Sequence, residues 1–160
     1  EAQQTTLKAA FEDVTVADVM TPREDLHAVT EDASVADLMS RMFEERHTGY
    51  PVLDGDDLVG MVTLEDARSV KEVERDAYRV DDVMATDLVA ADPNADALTA
   101  LQTMQTHGVG RLPVVDADGE LVGLISRSDL MTAFNIIQTG GTPGIISGRR
   151  EQGGEEPRIL

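Results

Sequence analysis

Ser126 stands three residues before Asp129, and Thr63 stands three residues before Asp66. Each pair follows an apolar run broken by one glycine: Leu121, Val122, Gly123, Leu124 and Ile125 in one case, Leu58, Val59, Gly60, Met61 and Val62 in the other. Such a run reads as a short buried strand, and a hydroxyl with an acid three residues on reads as a helix start. A strand that hands directly to a helix N-terminus offers backbone N–H groups and a positive dipole end, which favour a phosphate. The hydroxyl adds a donor to a phosphate oxygen, while a carboxylate one turn later can accept both hydroxyls of a ribose. These are the two polar ends of a nucleotide. Each pair is equally what a plain helix cap requires, the hydroxyl accepting a backbone N–H and the acid sitting on the positive helix end. Arg127 directly follows Ser126, where it could clamp a phosphate, whereas the matching residue of the other copy is Leu64. In a chain of net charge -18, local arginines such as Arg111 and Arg127 are the candidates for holding any phosphate.

The elements that must position these pairs also occur twice. Tyr50-Pro51-Val52-Leu53-Asp54 and Leu112-Pro113-Val114-Val115-Asp116 are apolar strands, each followed by an acidic, glycine-containing turn suited to a hairpin. Upstream of each lies an amphipathic helix. One starts at Ser34 and carries Val35, Leu38, Met39, Met42 and Phe43; the other starts at Asp96 and carries Ala97, Leu98, Leu101 and Met104. Methionines in such a stripe are core filler rather than ligand contacts. Before those helices come matching openings, Val16-Ala17-Asp18-Val19-Met20 and Val80-Asp81-Asp82-Val83-Met84, each expected to form one helical turn. The offset between copies is 64 residues at Met20/Met84, 62 at Pro51/Pro113 and 63 at Asp66/Asp129, which marks a tandem duplication with small loop changes. Residues 26–30 read as a strand, and residues 65–79 as a continuous exit helix with a solvated, mixed-charge face.

Every element in duplicate, over roughly residues 14–134, resembles the cystathionine-β-synthase (CBS) domain arranged as a tandem pair, the Bateman module. The resemblance implies an α/β (α+β) fold of two repeats, each a small sheet packed with helices, related by a pseudo-two-fold. It divides the chain into a lead-in helix (1–13), repeat one (14–76), repeat two (77–138) and a flexible tail (139–160). In that family the Ser/Thr contacts the phosphate and the Asp the ribose diol, which carries over to Thr63, Asp66, Ser126 and Asp129. The base pocket carries over to Val29, Thr30, Thr48, Gly49, Tyr50 and Pro51 in repeat one, and to Val89, Ala90, Gly110, Arg111, Leu112 and Pro113 in repeat two, with Arg127 beside the second phosphate position. The implied ligand is an adenine nucleotide, AMP, ADP or ATP, ahead of S-adenosylmethionine or NAD, bound in clefts between repeats as a regulatory signal. The alternatives are a structural or dimerisation module with empty clefts. Such pairs commonly form a disc-shaped homodimer, which is expected here by analogy.

Met20-Thr21-Pro22-Arg23 resembles the opening of CBS pairs in CorC-type divalent-cation transporters. The segments Arg46-His47-Thr48-Gly49-Tyr50-Pro51 and Val62-Thr63-Leu64-Glu65-Asp66 look more like the pair attached to archaeal site-2-type membrane metalloproteases. That second context implies an N-terminal membrane domain bearing the zinc chemistry, with this chain on the cytosolic face. A chain that begins at Glu1 without an initiator Met agrees with a piece of something longer.

Composition excludes several classes. There are 31 acidic residues against 13 basic, and no basic stripe for nucleic acid. Arginine is preferred over lysine and Asp over Glu, which suggests a halophilic archaeon whose internal salt screens the self-repulsion. Without cysteine there are no disulfides or thiolate sites. No apolar run approaches the length of a membrane span, and no signal peptide opens the chain. The zinc-hydrolase, phosphate-loop and serine-hydrolase signatures are missing, so the chain is not expected to be an enzyme. His27, His47 and His107 are isolated in sequence, and no metal site is expected from them.

Overall fold

The computed structural model describes residues 8–140. The tail expected to be flexible lies outside these residues from 141 on, as does the start of the lead-in helix; residues 8–10 are helical. The described elements are α1 (Val16–Val19), β1 (Thr21–Pro22), β2 (Val29–Thr30), α2 (Val35–Glu45), β3 (Gly49–Asp54), β4 (Asp57–Thr63), α3 (Leu64–Arg68), α4 (Val80–Val83), α5 (Ala97–His107), β5 (Arg111–Val115), β6 (Leu121–Ser126) and α6 (Arg127–Gln138). Short 3-10 turns occupy Arg23–Asp25 and Glu72–Glu74. The mixed α/β architecture with small sheets packed by helices is the expected one.

The helix starts follow from local chemistry. Ser34 caps α2 by accepting the Asp37 N–H at 3.0 Å, and the helix buries Val35, Leu38 and Met42. Its counterpart α5 buries Ala97, Ala100, Leu101 and Met104, so both methionines expected in the core are there. Asp96, expected to start α5, makes no side-chain cap bond. The hairpins turn on Gly55 (φ 64°) and Gly119 (φ 84°), a left-handed conformation that only glycine takes without penalty.

Two expectations need correction. The strand read at residues 26–30 is only Val29–Thr30, because β2 is held by just two parallel partners, Val52 and Leu53. The exit helix read over residues 65–79 ends at Arg68. Ser69 turns its hydroxyl onto the Asp66 carbonyl oxygen at 2.6 Å, and Lys71 is extended (φ -61°, ψ 142°). A serine that bonds nearby backbone offers the chain an alternative to helix, and here the alternative is taken.

The chain packs as two compact units, and their boundaries are offset from the repeats. One unit is Leu26–Val89; the other combines the described residues up to Asp25 with those from Ala90 on. In the first, β4 is flanked by β3, and the opening of repeat two joins it: Met61 and Ala85 exchange backbone hydrogen bonds at 3.0 and 2.8 Å. In the second, the opening of repeat one joins the hairpin of repeat two, with Thr21 opposite Leu124 and Pro22 opposite Gly123 in antiparallel pairing. Each opening segment thus completes the sheet built by the other repeat. A repeat of about 60 residues on its own buries too little surface to be stable, and the exchange adds to each unit's sheet an element from the other repeat. The Leu26–Val89 unit has one cluster around Leu38, Met42, Tyr50, Val52, Val62 and Val80.

The glycine in each apolar run is required by this joining. A Cβ on Gly60 would sit 2.5 Å from Met84 Sδ and 2.9 Å from the Ala85 carbonyl oxygen; on Gly123 it would sit 2.5 Å from Met20 Sδ and 2.7 Å from the Thr21 carbonyl oxygen. Met20 and Met84, matched across the repeat, therefore lie over the matched glycines.

Candidate functional site

The two hydroxyl–carboxylate pairs form the same reciprocal structure. Thr63 Oγ1 accepts the Asp66 N–H at 3.3 Å, and Asp66 Oδ2 accepts the Thr63 N–H at 2.9 Å. Ser126 Oγ accepts the Asp129 N–H at 3.0 Å, and Asp129 Oδ2 accepts the Ser126 N–H at 3.2 Å. These are capping boxes, which satisfy two otherwise orphan N–H groups at a helix start. The hydroxyl keeps its proton to donate, and the carboxylate keeps capacity at Oδ1 to accept. Cap and ligand roles are therefore chemically compatible on the same residues. The spacing alone is not diagnostic, since Thr15 and Asp18 build the same box at α1.

The hairpins bring the other expected residues alongside. Gly49 lies opposite Thr63, and the Leu64 N–H donates to the Thr48 carbonyl oxygen at 2.9 Å. Equivalently, Arg111 lies opposite Ser126, and the Arg127 N–H donates to the Gly110 carbonyl oxygen at 2.9 Å. Residues that are distant in sequence thus share one strand end in each unit. Their exposure varies, with Gly49, Val89 and Arg111 intermediate. Val29, Tyr50, Pro51, Leu112 and Pro113 are buried, so backbone is what they can offer a ligand, while Thr30, Thr48, Ala90, Gly110 and Arg127 are exposed.

Arg127 Nη2 donates to the Val109 carbonyl oxygen at 3.3 Å, which ties the guanidinium to the segment before β5. Arg111 is partly buried, and burial lowers its guanidinium pKa from the usual value. A guanidinium matches the geometry of a phosphate. The Leu26–Val89 unit has no arginine at the matching positions, Gly49 and Leu64.

Strand pairing revises one equivalence. Val29 lies opposite Val52 in parallel, and in the other unit Ala91 lies opposite Val114 in parallel. The counterpart of Val29 is therefore Ala91, and that of Thr30 is Asp92. Val89 and Ala90, carried over from sequence, stand two residues earlier; Val89 closes the Leu26–Val89 unit and Ala90 opens the other. Backbone pairing, not similarity of residue type, decides this register.

Cavities among the described residues are lined mainly by other side chains. One, of about 300 Å³, is lined by Thr30, Glu31, Asp32, Leu53, Asp54, Gly55 and Arg79. Another, of about 470 Å³, lies by Lys8, Phe11 and Asp96. Of the residues expected to hold a ligand, Thr30 lines the first of these cavities. The sequence also kept His27 and His47 apart, yet their ring centroids are 5.1 Å apart, beside Glu45.

The CBS domain family model matches residues 16–72 and again 80–136. The chain belongs to the CBS domain family. As a CBS pair it is 32% identical over 108 residues to the inosine-5'-monophosphate dehydrogenase of Thermoplasma acidophilum, covering 68% of this chain and 21% of that enzyme. The chain thus spans about a fifth of that relative's length. The crystal structure of CBSX2 in complex with AMP superposes with a TM-score of 0.68 at 32% identity, covering 78% of this chain and 98% of that one. The CBS domain of a bacterial CNNM/CorC family Mg2+ transporter in complex with ATP gives a TM-score of 0.73 at 24% identity, covering 83% and 97%, and speaks for the fold alone.

Proposed function

We propose that this CBS pair is a regulatory module that binds an adenine nucleotide and passes the binding energy to an attached domain. The observation that carries the reading is the edge formed by Ser126, Arg127, Asp129, Gly110 and Arg111. There a hydroxyl proton, a carboxylate oxygen and two guanidinium groups lie along one strand end and helix start. Phosphate at the hydroxyl and Arg127, with ribose hydroxyls on Asp129, uses each group in the sense its chemistry allows. The relative solved with AMP shares about a third of its residues with this chain, which supports AMP, ADP or ATP as the ligand class. Thr63 and Asp66 offer the same groups without the arginines, so the Ser126 edge is read as the tighter site. Regulation then requires only that the nucleotide bind two packings of the pair unequally.

The attached domain is read as an N-terminal membrane metalloprotease of the site-2 type, on the character of Arg46–Pro51 noted above, with the pair on the cytosolic face as a homodimer. Among the described residues no helix is long and apolar enough to cross a membrane. Calorimetric titration in molar KCl with AMP, ADP, ATP, NAD and S-adenosylmethionine tests the central reading. Saturable binding of an adenine nucleotide supports it. Folded protein that binds none of them is instead a dimerisation module.

A further inference from the structure

We propose that His27, Glu45 and His47 form a binding site for a divalent transition-metal cation of the Zn2+ class. One ligand atom from each residue lies within 4.8 Å of the others. His27 Nδ1 is 3.4 Å from Glu45 Oε1. Ligand atoms around a tetrahedral Zn2+ are roughly 3.3 Å apart, a contraction that rotation of two imidazoles can supply. His27 is half exposed and His47 is exposed, so both rings have room to turn.

Each ligand is placed by the fold. Glu45 is the last residue of α2, and Arg46 follows in the left-handed conformation (φ 61°), which reverses the chain and returns His47 to the helix end. The helix C-terminus carries partial negative charge, which favours a cation. Glu45 already has the outer partners a metal-binding carboxylate needs. Tyr50 donates its hydroxyl to Oε1 at 2.8 Å, and Arg41 Nε donates to Oε2 at 3.0 Å. The Tyr50 ring stands edge-on to His47 at 5.8 Å and braces it.

The shared fold does not demand this trio. Strand and helix pairing place Val89, His107 and Val109 at the matching positions of the second repeat, and two of those three cannot ligate a metal. Two imidazoles with one carboxylate select Zn2+, Ni2+, Co2+ or Cu2+ over Mg2+ and Ca2+, which prefer oxygen. This distinguishes the trio from the acidic groups that cover the rest of the chain.

The test is titration of the chain with ZnCl2 in molar KCl, read by calorimetry and by imidazole NMR. We expect one equivalent of Zn2+ per chain, with ring signals of His27 and His47 shifting while His107 stays in place. His27→Ala and His47→Ala should each weaken Zn2+ binding at least tenfold, His107→Ala should not, and MgCl2 should fail to compete. Equal shifts at His107, unchanged affinity in both variants, or displacement by Mg2+ at equal concentration would each overturn the site. Should a variant fail to fold, the ring signals of the unsubstituted chain decide.

Discussion

Ser126 and Asp129 hold each other through two hydrogen bonds, the Asp129 N–H on Ser126 Oγ at 3.0 Å and the Ser126 N–H on Asp129 Oδ2 at 3.2 Å. Stability and ligand affinity are therefore superimposed on one residue, and a substitution must be chosen to part them. Asp129→Asn keeps an oxygen for the Ser126 N–H but loses the anionic acceptor for a ribose diol. It should weaken nucleotide binding at least tenfold while the urea midpoint moves little. Asp129→Ala should do both, costing about 1 kcal/mol of stability. Calorimetry and urea unfolding on the two variants check this, and equal affinity in wild type and Asp129→Asn would leave the box as a cap alone.

Arg127 supplies the charge that Leu64 lacks. Arg127→Leu should lower affinity for ATP more than for adenosine, since only the former has phosphates to clamp. The reciprocal Leu64→Arg should raise nucleotide affinity at the Thr63 edge. A parallel loss for both ligands in Arg127→Leu would place the arginine away from the phosphate.

Gly60 and Gly123 sit where backbone carbonyl oxygens come within 3 Å of any added Cβ. Gly123→Ala and Gly60→Ala should each destabilise by about 1–3 kcal/mol, as overpacking against backbone does. Gly110→Ala, with nothing within 4 Å of the added carbon, should stay within about 0.5 kcal/mol. Urea unfolding of the three variants measures the contrast.

Tyr50 is 1% exposed, and its hydroxyl donates to Glu45. Burial, then the hydrogen bond and the charge of Glu45, raise its pKa well above the phenol value, so it stays a donor. Tyr50→Phe should cost about 1 kcal/mol, the net worth of one such bond to a partly exposed carboxylate. Nucleotide affinity should hold, because the ring faces the core. A large loss of affinity would make the hydroxyl a ligand group.

The acid excess has a thermal consequence. With 31 acidic and 13 basic residues, most carboxylates have no cation to pair with, and added salt screens their repulsion. The melting temperature should rise steadily between about 0.1 and 2 M KCl, a range over which the Debye length falls several-fold. A flat or falling curve would remove the halophilic reading.

Local chemistry was legible without coordinates. The hydroxyl before α2, the methionines at Met42 and Met104, the hairpin glycines and both capping boxes depend on near neighbours in sequence, and hydrophobic period and turn chemistry report those directly. Duplication of the whole set made the CBS family recognisable as well. Tertiary structure alone decided three things. It joined each repeat's opening to the sheet of the other, a non-local pairing that no window of residues encodes. It set Ala91 rather than Val89 as the twin of Val29, because register follows backbone hydrogen bonds rather than similarity of residue type. It brought His27 to the end of α2 that carries Glu45 and His47, a proximity that separation along the chain does not report.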